Sequence, residues 1–214
     1  MRSSKNTDVI LNTPTGKMNL GHPLEVEKIS IGEAEFFEID AAQIYSNVLR
    51  GFDFDIDCDG FLSLGVLKDC LFEIDYINKN LKIYDPSVIE ESISKSTIPA
   101  FFKNGSIYFQ GKFGDNILNF QLDTGNCYGI SISKQHQQNL KLKEFKKKIK
   151  MVTFKYKQDV SVYTFEGDAV FGNIVFQNPD IYVHSKNLFG SEALKDCILR
   201  INQRAGYVEI EQKQ

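Results

Sequence analysis

The chain has 214 residues, 42% of them hydrophobic and 25% charged, with a formal net charge of -3. That length suffices for one domain or two small ones with a real core, and the charge gives no electrostatic reason to expect nucleic acid as a partner. Seventeen Phe, nine Tyr and no Trp lean the composition toward β-structure.

The first residues, MRSSKNTDVILNTPTG, contain no continuous apolar core and do not form a signal peptide as they stand. This leaves the compartment open: cytoplasmic as written, exported or periplasmic if the reading frame begins upstream. No apolar stretch approaches the ~20 residues of a membrane span. Asp55-Ile56-Asp57-Cys58-Asp59-Gly60 matches the front of a calcium loop, but Val66 stands where the bidentate Glu is required. An exposed acidic loop before a buried strand is the ordinary reading, and no metal is expected. The four cysteines (Cys58, Cys70, Cys127, Cys197) have neither CxxC spacing nor metal-spaced histidines and read as buried free thiols. No His stands near Cys127 in sequence to activate it as a nucleophile.

A repeat organises the chain. Leu67-Lys68-Asp69-Cys70 recurs as Leu194-Lys195-Asp196-Cys197, an offset of 127, and Ile74, Leu81 and Ile83 meet Ile201, Val208 and Ile210. Each copy reads as a short helix, a strand, a polar turn and a second strand. Earlier in each half, Ile29-Ser30-Ile31-Gly32 with Phe36 matches Val170-Phe171-Gly172 with Phe176 at an offset of 140. Two copies of one lobe follow, at residues 1–93 and 94–214, joined by a linker or short exposed helix over 85–99.

Within the second copy, SIYFQGKFG (106–114) and Ile117–Asp123 alternate as strands around Gly114-Asp115-Asn116. The stretch SKQHQQNLKL (133–142) reads as a helix. Leu142, Phe145 and Ile149 in KLKEFKKKIK (141–150) recur at helical spacing, which predicts a solvated amphipathic helix. TFKYKQDVSVYTF (153–165) predicts a hairpin turning at Lys157-Gln158-Asp159. The abundance of Lys, Asn and Ile points to a bacterial source, where the sequon Asn104-Gly105-Ser106 carries no meaning.

The alternating strand ends in Leu122-Asp123-Thr124-Gly125, and Leu188-Phe189-Gly190 follows about 65 residues later. This arrangement resembles the aspartic peptidases of the pepsin and retropepsin superfamily, most closely the bacterial two-lobed retropepsin-like type, over nearly the whole chain. In the first copy, Asp59-Gly60-Phe61-Leu62-Ser63-Leu64 is similar to the stretch leading into the same helix. The resemblance implies an all-β fold of two pepsin-like lobes, the first lacking its N-terminal hairpin. It implies a catalytic Asp123-Thr124-Gly125 acting on a peptide or protein substrate, with Asn126, Tyr156 and Tyr163 as substrate-binding candidates and no cofactor.

Physical chemistry suits these residue types. Gly125 permits a sharp turn after the strand, and Thr124 offers a hydroxyl to a partner across a twofold axis. Two carboxylates ~3 Å apart share a proton because both cannot ionise together. Asn126 replaces the family's usual Ala or Ser, Ser63 replaces an expected Gly, and the expected flap tip has no Gly. Carried back by 127 or 140 residues, Asp123 falls at position -4 or -17, ahead of Met1. The second Asp is therefore expected from an upstream segment or from a homodimer partner. The alternative is an inactive homologue that keeps a peptide-binding cleft.

Overall fold

Alternation of apolar and polar side chains runs through most of this sequence, and it folds almost wholly as β-strands. The computed structural model describes residues 2–3, 9–13, 16–44, 60–85, 97–152 and 157–212. Two units emerge, one of residues 1–66 with 151–158, the other of 67–150 with 159–214. Asp55–Asp59, with Cys58, and Tyr156 lie outside the described residues.

In the first unit, β3 (Gly16–Ile31) pairs antiparallel with β1 (Arg2–Ser3), β2 (Val9–Thr13) and β4 (Ala34–Ile44). Gly32, at φ 59°, makes the tight β3–β4 turn between Ile31 and Ala34. Val26, Ile29 and Ile31 are half-buried while Glu25, Glu27 and Lys28 are exposed.

The remaining strands form one sheet. They are β5 (Leu71–Asp75), β6 (Asn80–Tyr84), β7 (Thr97–Lys103), β8 (Ser106–Phe113), β9 (Asn116–Asp123), β10 (Ile130–Ser133) and β11 (Leu142–Val152). After them come β12 (Lys157–Phe165), β13 (Asp168–Phe171), β14 (Ile174–Gln177), β15 (Asp180–His184), β16 (Leu188–Gly190), β17 (Cys197–Asn202) and β18 (Tyr207–Gln212). Their order is β11-β12-β15-β10-β16-β9-β8-β7-β18-β17-β5-β6, with the β13–β14 hairpin attached to β8. Among the described residues, helix is confined to α1 (Lys134–Gln137) and a 3-10 turn at Ser191–Leu194.

The strands expected at 106–114 and 117–123 are present as β8 and β9. Several expectations change, among them the short helix read around Leu67–Cys70, which is a turn. Residues 142–150 form a strand, not a helix, because the chain returns alongside as β12 and supplies backbone partners. Phe145 is 51% exposed there, while Leu142 and Ile149 are half-buried, so the three do not form one buried helical face. Lys157-Gln158-Asp159 opens β12 and is not the turn, and residues 153–156 lie outside the described residues. The 133–142 helix shrinks to the four residues of α1, and Thr97–Pro99, read as linker, opens β7. Of the described cysteines, Cys197 is buried and Cys70 half-buried, but Cys127 is exposed.

Turns 127 residues apart have matching contacts. Asp75 Oδ1 accepts from the amides of Ile77 and Asn78, and Asn202 Oδ1 accepts from the amide of Ala205, so equivalent side chains hold equivalent turns. Lys79 and its counterpart Gly206 both take positive φ, 57° and 75°. Strands β5 and β17 pair antiparallel in a register centred on Glu73↔Arg200, two positions that are themselves 127 apart. A local twofold axis therefore passes through that pair. Across it runs a ladder of alternating charge on four neighbouring strands, Lys82–Glu73–Arg200–Glu209. Arg200 Nε donates to Glu73 Oε2 at 2.7 Å, and its Nη1 donates to Glu211 at 2.8 Å.

The core of the second unit is aromatic. Phe109, Phe113, Phe120, Phe171 and Phe189 are fully buried. Phe171 lies 4.6 Å from Phe189 and 5.1 Å from Phe120 between ring centroids, and edge-on or tilted contacts dominate. Gly111 makes room for this cluster, since a Cβ there would run into the Phe171 ring.

Glu73 is only 2% exposed. Burial opposes its ionisation, yet the hydrogen bonds and charges of Lys82 and Arg200 outweigh burial and hold its carboxyl below the usual Glu range. A depressed folded value means the stabilisation is complete above the unfolded value of ~4.3 and fades as pH falls through the folded one. Glu73→Gln should cost about 2–3 kcal/mol at neutral pH and make acid unfolding below about pH 4 less steep, as read by urea melts across pH.

Candidate active site loop

Strand β9 delivers Asp123 to its end, and the chain must then reach β10, which lies beyond β16. β16 runs parallel to β9, with Gly190 beside Asp123, and antiparallel to β10, with Phe189 beside Ile130. The connection 124–129 therefore crosses the end of β16. It passes so close that a Cβ on Gly190 would collide with the Tyr128 carbonyl and come 2.7 Å from that of Asn126. Only glycine fits there.

Hydrogen bonds hold the crossing. The amide of Asn126 donates to the Asp123 carbonyl at 3.0 Å, and the amide of Tyr128 donates to Asn126 Oδ1 at 3.2 Å. The amide and hydroxyl of Ser191 both donate to the Asn126 carbonyl, at 2.8 and 3.0 Å, and the Gly190 amide donates to the Gly129 carbonyl. Asp123 is half-buried, with Thr124 and Gly125 exposed beside it. A carboxylate, a hydroxyl and an open turn thus share one rigid corner, suited to proton transfer at an exposed face.

Asn126 does not stand out toward solvent. Its side chain turns back on the loop, and its Nδ2 is buried near Gly190 without a hydrogen-bond partner among the described residues. Tyr163 lies on β12, four strands from β9 and about 19 Å along the sheet at ordinary strand spacing, its ring 6.0 Å from Phe145. Asp123, Thr124, Gly125 and Asn126 are thus together, and Tyr163 belongs to the β11–β12 hairpin. The Tyr128 hydroxyl ties that hairpin to the corner, donating to the Lys150 carbonyl at 3.2 Å. Tyr128 also packs against Tyr182, centroids 5.1 Å apart, and burial raises the pKa of both phenols.

Two supporting residues were not anticipated. Asn187 Oδ1 accepts from the Ser133 amide at 2.8 Å and from His136 Nδ1 at 3.0 Å, which puts the imidazole proton on Nδ1. Its Nδ2 donates to the Asn119 carbonyl, and its own carbonyl accepts from the Gln121 amide, so one side chain ties β9, β10 and α1 together ahead of β16. Ser191 closes the other end. Nothing in the spacing of either residue marks the role, because their partners lie 51 to 68 residues away. Among the described residues, no group of His, Cys, Asp and Glu is arranged to hold a metal ion, and no helix is long and apolar enough to cross a membrane.

No protein-family model and no curated protein matches the sequence. Among solved structures, it is similar to the crystal structure of a retropepsin-like aspartic protease from Rickettsia conorii. The two share 19% sequence identity, covering 54% of this chain and 89% of that one, with a TM-score of 0.42.

Gly190→Ala should cost about 3 kcal/mol or more, because the new methyl meets backbone and not a movable side chain; a thermal melt reads it. Ser131 Oγ is buried without a hydrogen-bond partner among the described residues. Ser131→Ala should therefore raise stability by about 1 kcal/mol, since it removes an unsatisfied hydroxyl.

Proposed function

We propose that this chain is the greater part of an aspartic endopeptidase, in which Asp123 is one of two catalytic carboxylates. The observation that carries the reading is the corner itself: an Asp-Thr-Gly turn locked by Gly190 and Ser191 at the open end of β9. Thr124 and Gly125 shape that corner, and Thr124 offers its hydroxyl to the equivalent loop. The ionised carboxylate takes a proton from water while its protonated partner polarises the peptide carbonyl, the division of labour forced on two acids that cannot both ionise. The β11–β12 hairpin is the flap over the substrate, with Tyr163 on its second strand.

The second carboxylate comes from polypeptide ahead of Met1. The closing hairpins of two copies, β5–β6 and β17–β18, already share the local twofold axis within this chain, so a lobe related to the second one belongs at residues 1–93 and upstream. A homodimer built on β17 would have to displace β5 from that edge, which supports the upstream source over a second copy.

The test is direct. The reading frame extended upstream should encode an in-frame Asp-Thr/Ser-Gly close to positions -17 to -4. The extended protein should cleave a casein-like substrate at about pH 5. Asp123→Asn should lower kcat by roughly 10³-fold or more with little change in peptide affinity. The 214 residues alone should not cleave. Cleavage that survives Asp123→Asn would falsify the proposal, and peptide binding without any cleavage in the extended protein would assign a binding role.

A further inference from the structure

The most basic stretch of the chain stands beside the Asp123 corner. Residues 141–150 carry six lysines and one glutamate, a charge of +5 in a chain whose total is -3, so the remaining residues sum to -8. Two of these lysines are neutralised, Lys143 by Glu166 at 2.7 Å and Lys146 by Asp180 at 2.6 Å. Lys147, Lys148 and Lys150 are exposed and have no carboxylate partner among the described residues.

Because β11 is a strand, it sorts these side chains between two faces. Phe145 meets Tyr163, whereas Lys146 meets Asp180, which lies in register with Thr164, the next residue of β12. The two contacts are therefore on opposite faces, and alternation puts Lys148 and Lys150 with Lys146, and Lys147 with Phe145. The face of Lys146 is also that of Tyr182, whose register partner is Val162. Register then carries it across the sheet from Tyr182 to Ser131, Leu188 and Gln121, and Asp123 is two residues beyond Gln121. The row of lysines and the aspartate thus share one face. The row ends at the corner itself, where the Lys150 carbonyl accepts from the Tyr128 hydroxyl.

We propose that Lys148 and Lys150 determine the specificity of the Asp123 site, selecting extended peptides that carry Asp or Glu beside the segment held there. The inference rests on the peptidase reading and names its substrate class: acidic stretches of polypeptide. From Lys146 to Lys150 the row spans about 13 Å, the length of roughly four residues of extended peptide. A long polyanion fits this face less well. Firm nucleic-acid binding uses about 6–10 phosphate contacts, whereas two uncompensated lysines stand here, with Asp180 at the end of the row and a surplus of acid elsewhere. A short peptide gains from both lysines without crossing that acid surplus. Such rim charges act through complementarity and weaken with salt.

Fluorescence anisotropy tests this without requiring cleavage, using the 214-residue chain and labelled peptides that share an apolar centre and differ only in Glu, Gln or Lys flanks. At about 0.15 M salt the Glu peptide should bind about tenfold more tightly than the Gln peptide, and at about 1 M salt the difference should vanish. Lys148→Glu with Lys150→Glu should reverse the preference toward the Lys peptide. Lys147→Glu, on the other face, should change it by less than about twofold. Should the double Glu variant melt early, Lys148→Gln with Lys150→Gln should abolish the preference without reversing it. Equal binding of the Glu and Gln peptides, or binding of neither, overturns the inference even if the upstream-extended protein is an active peptidase. A preference carried by Lys148 and Lys150 in a protein that never cleaves upholds it while the catalytic reading fails. Tighter binding of a single-stranded oligonucleotide or a phosphatidylserine vesicle through the same two lysines overturns the peptide assignment.

Discussion

One close approach organises this protein: the backbone of residues 126 to 128 passes over Gly190 at a distance that excludes any side chain. Because β9 and β10 flank β16, the chain leaving Asp123 has no other short route to its next strand. The carbonyls of Asn126 and Tyr128 are pressed onto Gly190, and Ser191 and Gly129 complete the hydrogen bonding. Asp123 therefore belongs to a corner whose position is set by two strands, not by a free loop. That kind of rigidity holds the Asp123 side chain in a fixed geometry.

Around this corner, stability is divided by type. The second unit relies on stacked and edge-on phenylalanines, which need glycine at 111 where the Phe171 ring lies against the strand. The central strands β5, β17 and β18 rely on charges arranged in register across the sheet. Such a ladder contributes fixed alignment more than raw stability, because desolvation consumes much of the Coulomb attraction of buried ions. Its Glu73 stays ionised below the usual Glu range, which keeps the alignment intact in mildly acidic surroundings.

Much of this was legible in the sequence where the signal was local. The strands ending in Phe113 and Asp123 alternate cleanly around a Gly-containing turn, and the apolar positions after Leu67–Cys70 and Leu194–Cys197 fall in the antiparallel pairs β5–β6 and β17–β18. Residues 142–150 misled because Leu142, Phe145 and Ile149 happen to fall at helical spacing, while the partner strand that decides the outcome lies beyond the next turn. Asn187 and Ser191 were invisible for a related reason. Each acts on backbone groups far away in sequence, and an isolated Asn or Ser in a loop looks the same whether or not it clamps three elements. Asn126 also braces its own loop, its Oδ1 accepting from the Tyr128 amide, a contact its spacing does not mark.

The charge ladder has a further consequence for how the two halves recognise each other. At equivalent places the copies carry opposite signs: Glu73 against Arg200 and Lys82 against Glu209. Were either hairpin to meet another of its own kind in this register, Arg200 would face Arg200, or Glu73 would face Glu73, at the axis. Like charges directly opposite destabilise a strand pair. At this axis each hairpin therefore complements the other and not a second copy of itself in the same register.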